Sequence, residues 1–341
     1  MSVMSDLRGS NIGPDVKMKT LVLGRRQVEE LLGMAEALLA VEDALRLKAQ
    51  GKTVMPPKIY LDLPAYHGDF RAMPAYIKGM AGVKWVSSYP ENTRVGLPSV
   101  LATIILCDPK TSFPLAIMDG TYITNMKTGA AGGVAVKYMA RKNSKTVGII
   151  GAGRQAETQL LAILEVLTGI ENVKVFDKYP EASQRYIERM GRHLSVKMGL
   201  AKTLAEAADA DIVVTSTPAR EPIVKKEYIR PGTHINAIGA DAAGKQELDS
   251  DLIACAKVIV DDMEQAAHSG EINVPLAQGR ITSADIYGDL GEIVIQAKKG
   301  RENEEEITIF DSTGLAIQDI ICAQYVYEKV KGKEIASFDL I

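Results

Sequence analysis

The segment KTVGIIGAGRQAETQLLAIL, residues 145–164, constrains this chain more than any other stretch. Lys145 to Ile150 has the length and apolarity of a buried strand, and Thr158 to Leu167 repeats apolar residues at helical spacing. Between them, Gly151-Ala152-Gly153-Arg154-Gln155-Ala156 makes a GxGxxA turn. Gly151 permits the tight turn, Gly153 lets the backbone approach a pyrophosphate, and small Ala156 lets the helix pack closely on the strand. The first N–H groups of the helix, at Arg154 and Gln155, are then free to face phosphate.

A glycine turn also serves as a plain helix entry, so the neighbouring segments decide. A second apolar strand, NVKVFD, ends in Asp177, 24 residues beyond Gly153, where an acidic residue is expected to meet a ribose 2′-hydroxyl. That spacing favours NAD over NADP. Lys178 follows and suits a 2′-phosphate, but the adjacent carboxylate repels one. The competing reading of Asp177 is a turn residue at a strand end. DIVVTSTP at 211–218, HINAIGAD at 234–241 and KVIVDD at 257–262 continue the βα rhythm. In such a sheet the cofactor lies over the strand C-termini. TSTPAR, with Thr215 and Thr217, and AIGADAAGKQELD, with Lys245, therefore border the nicotinamide side.

With 341 residues, 46% hydrophobic and 24% charged, the chain is globular and exceeds the roughly 250–300 residues of a single core. A net charge of −3 and the lack of Lys/Arg runs argue against nucleic acid as a partner. No 18-residue apolar stretch or long apolar leader occurs, so neither membrane insertion nor export is expected and the cytoplasm is the expected location. Cys107, Cys255 and Cys322 lack paired spacing and read as core thiols. His67, His193, His234 and His268 show no metal-ligand spacing, so no metal is expected. The charged run Arg301 to Glu306 reads as a solvated loop.

Residues ahead of the glycine turn offer a helix pattern, RQVEELLGMAEALLAVEDALRLKAQ, and then strand-like segments from MPPKIYLDL to FPLAIMDG. The tail EEITIFDSTGLAIQDIICAQYVYEKV has a strand, a small-residue turn and an apolar helix that docks back on the first part. The expected fold is α/β, with a Rossmann-type dinucleotide-binding domain at 127–307 inserted in a mixed α+β substrate-binding and dimerisation domain formed by 1–126 and 308–341.

GDFRAMPAY, AGVKWVSSYPEN, MDGTYITNMKTGAAGGVAVKYMARK, GIIGAGRQA, THINAIGAD, GKQELD, GEI and IFDSTGLAIQD occur in this order. Together they resemble the ornithine cyclodeaminase/mu-crystallin family, and within it the archaeal-type alanine dehydrogenase branch. The resemblance implies a homodimer, a nicotinamide cofactor in the central domain, and redox chemistry on a small amino or imino acid. By the same resemblance Asp241 is the acid/base residue, a role carboxylates fill when their pKa suits the step; a capping aspartate is the competing reading. Lys84, in the apolar GVKWV, matches a substrate-binding group, since a buried ammonium needs an anion; an internal salt bridge would serve equally.

Lys58 and Lys127 stand where family members usually carry carboxylate-clamping arginines. Lysine keeps the charge and loses the two-pronged fork. Lys127 also reads as a first-turn residue of the helix running to Ala140. Arg71 replaces the glutamate of ornithine-cyclising members and would repel a second ammonium, unless it is merely solvated. Ser99 aligns with a hydroxyl near substrate, and Thr128 with the start of the phosphate-side helix, although both residue types commonly stabilise turns and helix starts. Ser312 and Thr313 of the DSTG turn are placed to hydrogen-bond the nicotinamide amide or substrate, or simply to shape the turn. Asp311 orients that turn, and Glu271 in GEI has no assigned role.

The implied reaction is oxidation of L-alanine by NAD⁺ with water to pyruvate and ammonium. Lys58, Lys84 and Lys127 would hold the carboxylate, and Asp241 would assist water at the imine. Reduction of a cyclic imine such as pyrroline-2-carboxylate is the first alternative and ornithine cyclodeamination the next. A nucleotide-dependent small-ligand binding protein like mu-crystallin is the alternative of another class.

Overall fold

The computed structural model describes residues 19–340, so the reading of the first residues as lacking a leader lies outside them. The chain builds two eight-stranded sheets. The first contains β1 (Thr20–Leu23), β2 (Thr53–Val54), β3 (Ile59–Leu63), β4 (Gly68–Ile77), β5 (Met80–Ser88), β6 (Val100–Cys107) and β7 (Pro114–Asp119). The second contains β8 (Thr146–Ile150), β9 (Asn172–Phe176), β10 (Lys197–Leu200), β11 (Ile212–Thr215), β12 (His234–Ala237), β13 (Lys257–Val260), β14 (Ile286–Asp289) and β15 (Thr308–Asp311). A short last strand, β16 (Ser337–Phe338), returns to β1 at the edge of the first sheet.

The second sheet is wholly parallel, in the order β10-β9-β8-β11-β12-β15-β13-β14. Its central strands are buried along their length, as parallel strands covered on both faces require. The order reverses between β8 and β11, and the glycine turn follows β8, which puts it at the switch point where such sheets bind ligands. This is the Rossmann-type α/β fold.

The first sheet is mainly antiparallel and has two unlike faces. Register places Met73 opposite Lys84 and Lys84 opposite Ile104, while Arg71 lies opposite Val86. Period-two alternation therefore sends Arg71, Met73, Lys84 and Ile104 to one face. Helices Met34–Ala49, Gly120–Met139 and Ala316–Val330 contribute to the core on that side. The other face presents Ile59, Leu61, Trp85 and Ile105, which are 65%, 49%, 43% and 37% exposed.

Several expected boundaries move. The single helix expected from residue 26 divides into Arg25–Leu31 and Met34–Ala49, because Gly33 takes extended backbone angles as an N-cap and its N–H donates to Glu36. Helix Gly120–Met139 runs straight through the expected 126/127 boundary. β15 pairs with β12 and β13, so residues 308–311 belong to the second sheet and not to the first domain. The tail rejoins the first sheet's core only with helix Ala316–Val330. The thiols also divide: Cys322 is buried, but Cys255 is exposed and Cys107 half-buried, so just one is a core thiol. The run 301–306 is a loop, as expected. Among the described residues, no helix is long and apolar enough to cross a membrane.

Candidate active site

Helices Gly120–Met139 and Arg154–Val166 bring the two sheets together. A Cβ on Gly129 would lie 2.5 Å from Thr158 O, and one on Gly133 would lie 2.8 Å from the Ala162 Cβ, so the GAAGG run lets the helices meet backbone to backbone. A cleft of about 440 Å³ opens between the sheets. The groups drawn together there come from both halves of the chain.

The glycine turn reaches the cleft at Gln155. Gly151 has φ +93°, and a Cβ there would meet Ser216 O at 2.8 Å, so any larger residue is both strained and obstructed. Over Gly153 a Cβ would meet nothing within 4 Å. Gly153 caps the helix with no side-chain hydrogen bond, leaving its first N–H groups directed at that open space. Ala156 is fully buried. This shape and these donors fit a pyrophosphate. Arg154 is exposed at the helix start and pairs with Glu157 at 2.8 Å, while Gln155 lines the cleft and donates to Asn125. Asp177 accepts from Ala152 N and Tyr179 N, both at 2.9 Å. It fixes the turn from just beyond the end of β9, which is the turn role that competed with a ribose contact in the sequence.

The nicotinamide-side residues are held differently from expectation. Thr215 ends β11 fully buried with an unpartnered hydroxyl, and so does not face the cleft. Thr217 does line it, but its N–H and hydroxyl both donate to Glu247, at 2.6 and 2.7 Å. Gly239 N donates to the other Glu247 oxygen, so this buried carboxyl ties the loops after β11 and β12 together. Glu271, without an assigned role in the sequence, accepts from Glu247 N at 2.7 Å and also from Leu248 N. Burial raises the pKa of both glutamates, Glu271 well above the usual carboxyl range with the Glu247 charge beside it. Ser312 and Thr313 line the cleft, yet their turn is gathered round Asp261, which accepts from Thr313 N, Thr313 Oγ1 and Gly314 N at 2.7–2.9 Å. Burial and the charges of Asp261 and Glu247 push Asp311 up to about 8.

Lysines from three separate parts of the chain converge on this cleft. Lys84 comes from β5, Lys127 from mid-helix in Gly120–Met139, and Lys58 from just before β3. Lys127 is 2% exposed and lies in the helix's second turn and beyond, so its reading as a first-turn residue is set aside. It donates to Gln318 at 3.4 Å. Lys58 donates to Thr313 O at 2.6 Å. Lys84 Nζ lies 2.9 Å from Asp319 Oδ2, so the internal salt bridge and the cleft position occur together. Burial lowers Lys84 to about 7 and Lys58 to about 8, with Lys127 adding a like charge in each case. Ser99 and Thr128 line the same space.

Arg71 is buried rather than solvated. Its Nε and Nη2 grip Asp69 at 2.7 and 3.0 Å, and Nη1 donates to Asp241 Oδ2 at 3.0 Å. Lys245, expected at the cofactor, donates instead to Asp241 Oδ1 at 2.5 Å. Burial by itself would raise the pKa of Asp241, but Lys245 and Arg71 together hold it well below the usual carboxylate range. Sequence reasoning missed Asp69, Glu247, Asp261 and Asp319. Each is an acidic partner whose role depends on which cation or N–H the fold brings to it, and the adjacency of Asp69 to Arg71 in GDFRA is the sole local signal.

A groove of about 650 Å³ between helices Met34–Ala49 and Ala316–Val330 carries none of the predicted residues. The ionisable groups are concentrated in the cleft: an anion there has three lysines to meet, and Asp241 stands in the same cleft as a carboxylate held between Arg71 and Lys245.

Comparison with known proteins finds extensive similarity along nearly the whole described length. The chain is 51% identical over 321 residues to a protein of Archaeoglobus fulgidus named alanine dehydrogenase, covering 94% of this chain and 98% of the relative. An archaeal alanine dehydrogenase dimer with bound NAD superposes with a TM-score of 0.91 at 49% identity, over 95% of this chain and all of that one. The Δ1-pyrroline-2-carboxylate reductase of Thermococcus litoralis, solved with NADH and L-proline, gives 0.89 at 45% identity, over 91% and 97%. With residues 18–334 matching its model, this chain belongs to the ornithine cyclodeaminase/mu-crystallin family.

Proposed function

We propose that this protein is an NAD-dependent oxidoreductase of small amino or imino acids, most simply an alanine dehydrogenase that interconverts L-alanine and water with pyruvate and ammonium. The observation that carries this reading is the convergence of Lys58, Lys84 and Lys127 in one cleft with Asp241 and with Gln155 of the glycine turn. NAD, when bound, accepts or returns the substrate Cα hydride. The Gly153 cradle, the free N–H groups behind it and Asp177 would hold that cofactor.

The chain's own residues supply the rest. The lysines neutralise and orient a carboxylate, which fixes the Cα for transfer. Arg71 opposes a second ammonium, so side chains such as alanine's or a closed ring fit better than ornithine's. Asp241, paired with two cations, is a weak base in this arrangement. Its role as base for water therefore requires Lys245 or Arg71 to turn away once substrate is in place. The apolar outer face of the first sheet fits a homodimer, the state of the archaeal relative.

Reduction of a cyclic imine is the second reading. It uses the same carboxylate site without the water step, and the likeness to the pyrroline-2-carboxylate reductase favours it. Loss of NADH absorbance with pyruvate plus ammonium, against pyrroline-2-carboxylate, separates the two. Ammonium-dependent oxidation of NADH with pyruvate is the expected result. Turnover of the cyclic imine alone would replace it with the second reading. Tight binding of such acids without turnover would point instead to a ligand-binding protein.

A further inference from the structure

We propose that Asp319 is a positioning residue that keeps the Lys84 ammonium charged and aimed at the substrate. This rests on the cleft being an amino- or imino-acid site. Asp319 lies in the first turn of helix Ala316–Val330 and is fully buried. Its Oδ2 is 2.9 Å from Lys84 Nζ and 3.9 Å from Lys127 Nζ. Neither oxygen has a hydrogen-bond partner of good geometry among the described residues. Its charge is therefore directed at the two ammonium groups rather than at any cap or turn.

Everything else packed around Lys84 acts against its proton. Its neighbours across the sheet, Met73 on β4 and Ile104 on β6, are apolar. Lys127 from the long helix and Lys58 from before β3 face it with like charge, and Cys322, buried on the same tail helix as Asp319, carries no charge to offset them. Burial and these cations bring Lys84 down to about 7, and Asp319 is the group that opposes them. Without it, the amine would be neutral across the physiological range. A neutral amine neither pairs with a carboxylate nor donates a proton to an imine nitrogen.

The sign of the effect follows. Removing a negative neighbour lowers the Lys84 pKa further, so any step that needs the ammonium loses its alkaline side first. In the full chain, Asp319→Asn should move the alkaline limb of kcat/KM, measured with the substrate that the wild type turns over, down by about 1–2 pH units. The loss should be about tenfold or more at pH 8 and small near pH 5, while NADH affinity by fluorescence stays within about threefold. A second readout needs no turnover: competitive acetylation of Lys84 by acetic anhydride, followed by mass spectrometry across pH. Its midpoint should fall in Asp319→Asn. An equal loss of activity at every pH, with the acetylation midpoint unmoved, would overturn the proposal and leave Asp319 a packing residue. If the wild type turns over none of the offered acids, the reading of the cleft fails, and the acetylation midpoint still decides the role of Asp319.

Discussion

At the scale of single residues, the cleft is defined by carboxyl groups in opposite circumstances. Asp241 is flanked by Arg71 and Lys245 and held as a carboxylate, whereas Asp311 lies among Asp261, Glu247 and Glu271 and is held protonated. Asp241→Asn should lower turnover by about 10²–10⁴-fold, the usual scale of general acid–base loss, while NADH titration shows an unchanged Kd. Retained turnover would remove Asp241 from the chemistry. Asp311 makes a different prediction. Its folded pKa of about 8 stands above the ordinary carboxyl value, so its contribution to stability is full at acid pH and is lost as pH rises towards 8. Asp311→Asn should therefore gain on the wild type with rising pH between 5 and 8, by up to about 1.4 kcal/mol per pH unit in unfolding titrations. A difference that does not vary with pH would show that Asp311 is ionised in the fold. Comparing variant with wild type matters, because His234, buried and lowered to about 3, biases the wild-type curve the other way below its unfolded pKa. Of these groups, Asp241 was singled out by the family resemblance, since its place after a strand suits a capping aspartate equally. Asp261, Glu247 and Asp319 were not, because an acidic residue in a sequence carries no sign of the cation or amide it will meet.

At the scale of elements, the glycine-rich helix and its partner hold the halves in register. Gly132 faces Gln159, whose amide donates to Thr128 O, and Asn236 in turn donates to Gln159. A Cβ at Gly132 would come within 2.7 Å of the Asn236 amide nitrogen. Gly132→Ala should then cost about 1–3 kcal/mol by overpacking, which calorimetry would register as a lower Tm. An unchanged Tm would mean that the two helices have room to part. Periodicity in the sequence revealed both helices and most strands but not β1, β2, β10, β14 or β16, and the GxGxxA spacing revealed the turn from β8 into helix Arg154–Val166. It left β15 with the wrong sheet, since a short apolar strand contains no information about its neighbours; pairing with β12 and β13 is decided by the crossover the chain makes later. The split at Leu32–Gly33 was likewise hidden, because glycine within a helical pattern can be read as a tolerated interruption.

At the scale of the whole molecule, the outer face of the first sheet is the surface proposed for a homodimer. Ile59, Leu61, Trp85 and Ile105 form an apolar surface on the side opposite Arg71 and Lys84. A charge there, as in Trp85→Glu with Ile105→Glu, should shift the protein from dimer towards monomer in analytical ultracentrifugation. A wild-type protein that sediments as a monomer would refute the assembly directly. The tail carries a different consequence. Asp319 and Gln318 reach the lysine wall from a helix that the ribosome makes after the entire second sheet, although Lys84 and Lys127 were made long before. At typical elongation rates the nascent chain spends on the order of ten seconds or more with those cations lacking their final partner and the sheet's inner face uncovered. The lysine wall is thus complete only once the last helix is made and docked.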